Sequence, residues 1–296
     1  MMSSPKILVT GGAGFVGSNL INQLIVQYPE SKISVLDNLF TGSLDNLSFL
    51  DNENITLHVG STEDIEYHFI NESFDLVYHF GEYSRIVKSF EDVNYVMKTN
   101  LHGTTRVLEM CRKWGAKLIY SASSSKFGND GKDENLSPYA WAKSKMVELI
   151  KNYGEWFDLE YEICYFFNVY GPGQITEGDY ATVIGIFERQ YNSGEPLTVV
   201  SPGSQSRDFT HVEDIITGII RATRSGLNRE WHLRSGKVHT ILEVAGMFDH
   251  NWVMIPERRG ERLAAEDVKT DTETKLDWKP KWDLNKYIKE TVINVR

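Results

Sequence analysis

Cysteine is scarce in this chain: Cys111 and Cys164 are the only two among 296 residues, and they show no CxxC spacing. A disulfide framework is thereby excluded, and two buried free thiols in a reducing compartment are expected, with no metal site. Basic charge is short as well. Lys and Arg number 31 against 41 Asp and Glu, for a formal net charge of −10. Broad contact with nucleic-acid backbone needs a basic surface, so no nucleic acid is expected as a partner. A small anionic ligand stays open to the chain, provided that local cations or helix N-termini receive it. No apolar run approaches the roughly 18 residues of a membrane span, and no basic-then-apolar leader opens the sequence. The expectation is a soluble cytoplasmic protein without membrane contact. Internal repeats and low-complexity stretches are missing too.

What is present is an alternation. Short apolar runs at 6–9, 32–36, 56–59, 76–80, 117–121 and 161–166 read as strands. Helical patterns at 15–28, 93–114 and 137–156 fall between them. Strand–helix alternation of this kind predicts an α/β protein with a parallel sheet wrapped by helices on both faces. After the turn cluster Gly171-Pro172-Gly173-Gln174 the character changes: a helix near 180–193, a short strand at 197–200 and a helix at 212–224, then shorter elements rich in Trp, Pro and charge.

The first strand runs into Thr10-Gly11-Gly12-Ala13-Gly14-Phe15-Val16-Gly17, with a GxxGxxG spacing at Gly11, Gly14 and Gly17. A tight strand-to-helix turn and the close approach of a pyrophosphate both favour residues without Cβ. The helix start then offers unpaired N–H groups and a positive dipole end to that anion. Glycines alone are weak evidence, but the loop follows a strand and opens a helix, as dinucleotide binding requires. Asp37 ends the second strand, 20 residues after Gly17. There an acid accepts hydrogen bonds from the adenosine ribose, and its charge repels a 2′-phosphate, so NAD is expected rather than NADP. The bland alternative makes Asp37 a turn former beside Asn38.

Tyr139 and Lys143 are four residues apart in a helical stretch and share a face. A second pair of that spacing, Tyr28 and Lys32, straddles Pro29 and cannot lie on one continuous helix. Only the pair at 139 and 143 follows a strand end rich in serine, Ser121 and Ser123 to Ser125. Strand C-terminal ends are where open α/β sheets bind ligands. Hydride removal from a secondary alcohol also requires loss of the hydroxyl proton. A nearby ammonium favours phenolate and makes tyrosine a usable base, and a serine hydroxyl can bond the same substrate oxygen.

Together these segments resemble the extended short-chain dehydrogenase/reductase family, the nucleotide-sugar epimerases and dehydratases, of the UDP-glucose 4-epimerase kind. The landmarks span nearly the whole chain: TGGAGFVGSNL (10–20), VLDNL (35–39), YHFGEYSRI (78–86), TNLHGT (99–104), YSASSSKFG (120–128), SPYAWAKSK (137–145), YFFNVYGPGQ (165–174), GEPLTV (194–199) and SRDFTHVEDI (206–215). The resemblance implies a doubly wound Rossmann-type domain over 1–167, with a returning segment at 208–235, and a smaller discontinuous substrate domain over 168–207 and 236–296. It puts Gly11, Gly14, Phe15, Val16 and Gly17 at the cofactor pyrophosphate, and Asp37 and Asn38 at the adenosine ribose. Phe80 and Gly81 lie along the cofactor, and Asn100 belongs with the cofactor-binding set near the active site. Ser123, Tyr139 and Lys143 are implied as catalytic, with Lys143 also on the nicotinamide ribose. Asn168, Arg207, Arg258 and Glu261 are implied to hold the nucleotide-sugar. A homodimer through the helices at 93–114 and 137–156 is implied as well, and Tyr95, Met97, Trp141, Met146 and Tyr153 suggest a second apolar stripe on them.

Three departures narrow the reading. Family dehydratases carry an Asp-Glu pair immediately after the catalytic Ser/Thr; here those positions are Ser124 and Ser125, so elimination of water is not expected. After the third strand a usual Gly-Asp is replaced by Gly60-Ser61, which leaves Ser61, Thr62 or backbone groups to meet the adenine. The 16 residues from Ser123 to Tyr139 are fewer than typical 4-epimerases have. The expected activity is nucleotide-sugar 4-epimerisation with tightly held NAD. A dehydrogenase that releases the keto-sugar is the alternative, and an inactive NAD-binding module a more distant one.

Overall fold

The apolar runs of the first 170 residues do fold as parallel strands. The computed structural model describes residues 4–48, 50–127, 132–260, 263–264 and 268–293. Its first strands are β1 (Ile7–Thr10), β2 (Ile33–Asp37), β3 (Ile55–Val59), β4 (Leu76–His79), β5 (Lys117–Ser123) and β6 (Tyr161–Phe166). The short strands β7 (Val169–Tyr170), β8 (Leu197–Val200), β9 (Ser206–Asp208) and β10 (Thr210–His211) lie outside the main sheet. β11 (Glu230–Leu233) rejoins it beside β6, and β12 (Val238–Thr240) and β13 (Trp252–Ile255) then pair with β9 and β8. Among the described residues the main sheet has seven strands in the order β11-β6-β5-β4-β1-β2-β3, all parallel. The chain leaves β1 toward β2 and β3, then crosses to β4 on the other side. That reversal opens a crevice beyond the carboxyl ends of β1 and β4, where such sheets bind ligands.

Helices cover both faces, which is why β1 and β2 are buried along their whole length. On one face α1 (Phe15–Gln27) packs Leu20, Ile21 and Leu24 against β1 and β2. Beyond it α2 (Ile65–His68) and α3 (Val93–Val96) precede the helices of the opposite face, α4 (Thr104–Trp114) and α5 (Pro138–Phe157). These bury Val107, Leu108, Met146, Val147 and Ile150 against Leu8, Val77 and Leu118. A separate core, with Tyr170, Ile184, Phe187, Leu197, Val199 and Phe248, lies beneath β8 and α6 (Val183–Ser193). The chain then returns through α7 (Val212–Ser225), whose Val212, Ile215 and Ile219 join the α1 face. Cys111 and Cys164 are free and sit in different clusters, on opposite faces of the sheet.

Two elements differ from the sequence reading. The stretch 93–114 is not one regular α-helix: between α3 and α4 the backbone widens into a π-helical segment, Met97–Gly103. Thr99 within it and Thr105 just after it donate their hydroxyls to carbonyls one turn back, Tyr95 at 2.9 Å and Leu101 at 2.7 Å. β11 carries no long apolar run. Its Trp231 and Leu233 are fully buried while Glu230 and His232 are half-buried, and parallel pairing to β6 makes it a strand.

Candidate active site

The glycine loop is built for close passage. Gly11 has φ +71°, and a Cβ there would lie 2.6 Å from the Gly81 nitrogen; one at Gly17 would lie 2.2 Å from the Gly11 carbonyl oxygen. At Gly14 a Cβ would meet only that same oxygen, at 3.2 Å. Helix α1 starts there with no side-chain cap and no acid in its first turn. Its N-terminal N–H groups and positive dipole end are left for an anion. Gly14, Phe15, Val16 and Gly17 all line a cleft of about 520 Å³.

Asp37 also lines this cleft. Its carboxylate accepts the Ala13 N–H at 2.9 Å and the Leu39 N–H at 2.8 Å. Burial raises its pKa, while the Leu39 and Ala13 bonds oppose that shift. These bonds tie the acid to the glycine loop and leave lone pairs for ribose hydroxyls. Asn38 donates to the Tyr95 hydroxyl at 3.1 Å and to Ser61 at 3.4 Å. Ser61, Thr62, Phe80 and Gly81 lie along the same wall. The loop, the helix start and Asp37 thus fit the pyrophosphate and adenosine ribose of a dinucleotide.

Asn100 is the exception among the cofactor residues expected from sequence. It is fully buried and does not line the cleft. Its side-chain amide clasps the Tyr83 backbone at both groups, accepting the N–H at 2.8 Å and donating to the carbonyl at 2.9 Å. The π-helical segment carries Asn100, so the widening of that helix anchors the loop after β4.

Tyr139 and Lys143 are placed by the start of α5. Ser137 caps it, accepting the Ala140 N–H at 3.1 Å, and Pro138 fills the first helical turn. Tyr139 is 8% exposed, and among the described residues its hydroxyl has no hydrogen-bond partner. Ser123, at the end of β5, accepts the Ser125 N–H at 3.2 Å, which leaves its own proton to donate. All three residues line the cleft.

Lys143 is held by a residue that the sequence reading missed. Glu82, three residues past the end of β4, pairs with its ammonium and has a side chain only 2% exposed. The same carboxylate accepts the Thr104 hydroxyl at 2.9 Å and the Tyr120 hydroxyl at 3.1 Å. Lys143 also donates to the Ser121 carbonyl and to the Tyr120 hydroxyl, 3.3 Å away. An ammonium has three N–H donors, and these contacts use them all. The network continues inward. Thr104 lies 2.9 Å from His79 Nε2, and Thr10 lies 2.7 Å from His79 Nδ1. Burial drops the His79 pKa to about 4 and keeps the ring neutral. From sequence Glu82 is a charge in the turn after a strand, which gives no signal of its burial.

The far wall comes from both parts of the chain. Phe40 packs on Tyr95 at 4.5 Å and edge-on to Tyr180 at 5.3 Å. Tyr83 and Tyr180 both donate to Asp92, at 2.9 and 3.2 Å. Asn168 has φ +28° and donates to the Asp208 carbonyl at 2.8 Å. With Arg207 and Arg258 it lines the cleft beyond the sheet. Glu261 lies outside the described residues. Among the described residues, no group of three or more His, Cys, Asp or Glu is arranged to hold a metal, and no helix is long and apolar enough to cross a membrane.

Known proteins share this arrangement. The model of the NAD dependent epimerase/dehydratase family matches residues 7–232. A Methanocaldococcus jannaschii protein with the provisional name UDP-glucose 4-epimerase is 31% identical, over 97% of each chain. UDP-glucuronic acid decarboxylase 6 of Arabidopsis thaliana is 30% identical over 82% of this chain and 73% of its own. Among solved structures, a UDP-N-acetylglucosamine 4-epimerase of Methanobrevibacter ruminantium, in complex with UDP-N-acetylmuramic acid, superposes with a TM-score of 0.89 at 28% identity over 98% of each chain. The UDP-glucose 4-epimerase of Thermotoga maritima, with UDP-glucose, gives 0.88 at 29% identity over 97% of each. With the glycine cradle, Asp37 and a family match over most of its length, this chain belongs to the NAD-dependent epimerase/dehydratase family, and its cofactor is NAD.

Proposed function

We propose that the protein is a nucleotide-sugar 4-epimerase. The observation that carries this reading is the free Tyr139 hydroxyl in a cleft whose neighbouring strand end presents Ser123, Ser124 and Ser125 rather than an acid pair. Tyr139 takes the proton of the sugar 4-hydroxyl, and Ser123 holds the same oxygen by hydrogen bond. Lys143 supplies the positive charge that favours the phenolate. Bound NAD supplies a hydride acceptor that later returns the hydride. Serine at 124 and 125 offers no carboxyl group to eliminate water from the keto-sugar, which speaks against a dehydratase. Asn168, Arg207 and Arg258 hold the nucleotide diphosphate. For Lys143 to reach the nicotinamide ribose as well, one of its present contacts must yield, and the Tyr120 hydroxyl is the longest of them.

A panel of UDP-, GDP-, dTDP- and CDP-sugars, with catalytic NAD in deuterated water, tests the reading. A 4-epimer without deuterium at C4 is expected. A stoichiometric keto-sugar, or turnover only with an added electron acceptor, would instead make the protein a dehydrogenase.

A homodimer and a cytoplasmic location belong to the same reading. The apolar stripe expected on the pairing helices is reduced, because Met146 and Tyr153 lie in the monomer's own core. Half-buried Met97 and Trp141, with exposed Val93, Trp156 and Phe157, are apolar side chains on these helices still open to a second copy. A dimer mass by light scattering is the expected result.

A further inference from the structure

Arg85 sits in the loop after β4 and lines the cleft. Its Nη1 donates to the neighbouring Ser84 carbonyl at 3.0 Å. Its Nε is buried without a partner, and among the described residues the guanidinium forms no ion pair. The other cations at this end of the cleft are matched. Lys143 is paired with Glu82, and Lys88 with Glu91 at 2.6 Å and Asp179 at 3.3 Å. The loop is tied to the start of α5: the Tyr139 N–H donates to the Ser89 hydroxyl at 3.4 Å, which donates to the Ile86 carbonyl, next to Arg85, at 2.6 Å. A buried, unpaired donor costs about 1–3 kcal/mol, and more when it is charged, so its retention in a binding cleft points to a counter-ion on the ligand.

Position decides which part of the ligand bears that charge. Arg85 follows Tyr83 and precedes Ile86, both of which pack in one cluster with Tyr139, so Arg85 lines the cleft at the reacting end. With the sugar 4-hydroxyl on Tyr139, the substituents on C3 and C5 are its neighbours on the ring, and a hexuronate carries its carboxylate on C5. A guanidinium presents a planar fork that matches a carboxylate at two oxygens. We propose that Arg85 receives a sugar carboxylate, and that the substrate is a nucleoside diphosphate hexuronate rather than a neutral hexose. This deepens the epimerase reading and rests on it for the placement of the 4-hydroxyl.

The test is binding, which needs no turnover. Calorimetry on the NAD-loaded protein compares UDP-glucuronate, UDP-glucose and UDP, for the wild type and for Arg85→Met and Arg85→Lys. The wild type is expected to bind UDP-glucuronate about 10- to 100-fold more tightly than UDP-glucose, the range of a charge-assisted hydrogen-bonded pair. In Arg85→Met that ratio falls toward one, and Arg85→Lys restores part of it. Equal or tighter wild-type binding of UDP-glucose overturns the proposal even if the substitutions do not fold. Weakening of all three ligands alike in Arg85→Met also overturns it, because the guanidinium then serves the diphosphate. Failure of the epimerase reading is recorded separately, by the absence of a 4-epimer from whichever sugar binds.

Discussion

Tyr139 and Glu82 differ in what their removal exposes. The Tyr139 hydroxyl has no protein partner among the described residues, so Tyr139→Phe strips one atom that the fold does not use. Steady-state assays should show turnover falling by about 10² to 10⁴, the worth of a general base, with NAD affinity and melting temperature nearly unchanged. Activity within threefold of wild type would remove Tyr139 from the chemistry. Glu82 is the opposite case. Glu82→Gln keeps the shape but leaves the Lys143 ammonium buried without a counter-charge, in a place where both side chains are under one-tenth exposed. Breaking one side of such a pair costs about 3–5 kcal/mol. Urea unfolding should report a loss of that order, and an unchanged midpoint would mean that the pair is not formed in solution. The sequence made Tyr139 and Lys143 legible because their spacing repeats a helical turn after a serine-rich strand end. Glu82 and Arg85 were not legible, since charges in a turn read as solvated until the fold buries them.

At the level of elements, the central strands could be read because burial on both faces demands mainly apolar runs, as at Ile7–Val9 of β1 and Ile163–Phe166 of β6. Helix α5 could be read from its cap, Ser137-Pro138. β11 could not, because only Trp231 and Leu233 of its residues are fully buried and its pairing partner lies far off in the sequence. The π-helical segment was hidden for a related reason: the Asn100 that it carries bonds the Tyr83 backbone, 17 residues away in the sequence. The junction of β1, its loop and α1 gives a direct test of the cradle. A methyl group at position 17 would stand 2.2 Å from the Gly11 carbonyl oxygen and 2.8 Å from the Gly12 Cα, both backbone atoms that cannot swing away. Gly17→Ala must therefore push α1 off the loop. The helix start then loses its aim at the pyrophosphate, and NAD affinity measured by fluorescence titration should fall at least tenfold, with a loss of stability of about 1–3 kcal/mol from overpacking. An unaltered affinity would show that the loop adjusts more freely than this packing allows.

Across the whole molecule, three histidines, His79 and His211 buried and His232 half-buried, link stability to pH. His79 lies beneath the cofactor cleft, His211 where β10 meets the second core, and His232 on β11 at the edge of the sheet. Burial lowers each from the ordinary value of 6.5 to about 4, and at His79 and His232 nearby Glu82 and Glu230 resist that shift only in part. All three are therefore neutral in the folded protein at a pH where the unfolded chain has begun to protonate them. Their contribution to stability is complete above pH 6.5 and is lost as pH falls through the interval down to about 4. Each adds a slope of at most about 1.4 kcal/mol per pH unit. Carboxylates with lowered values act in a different window. Burial raises Glu230, but its hydrogen bonds from Lys151 and Tyr165 and the Lys126 charge outweigh that and bring it to about 2, so its share is kept above 4.5 and lost only below. Unfolding free energies measured in urea at pH 7.5, 6.5, 5.5 and 4.5 should therefore stay level at first and then decline, with uptake of up to three protons on unfolding across the lower interval. His79→Asn should reduce that uptake by about one proton whatever it does to the absolute stability. A free energy that stays flat from pH 6.5 to 5 would mean that these rings are protonated in the native state, and that the neutral His79 bridge from Thr10 to Thr104 beneath Glu82 does not exist as drawn.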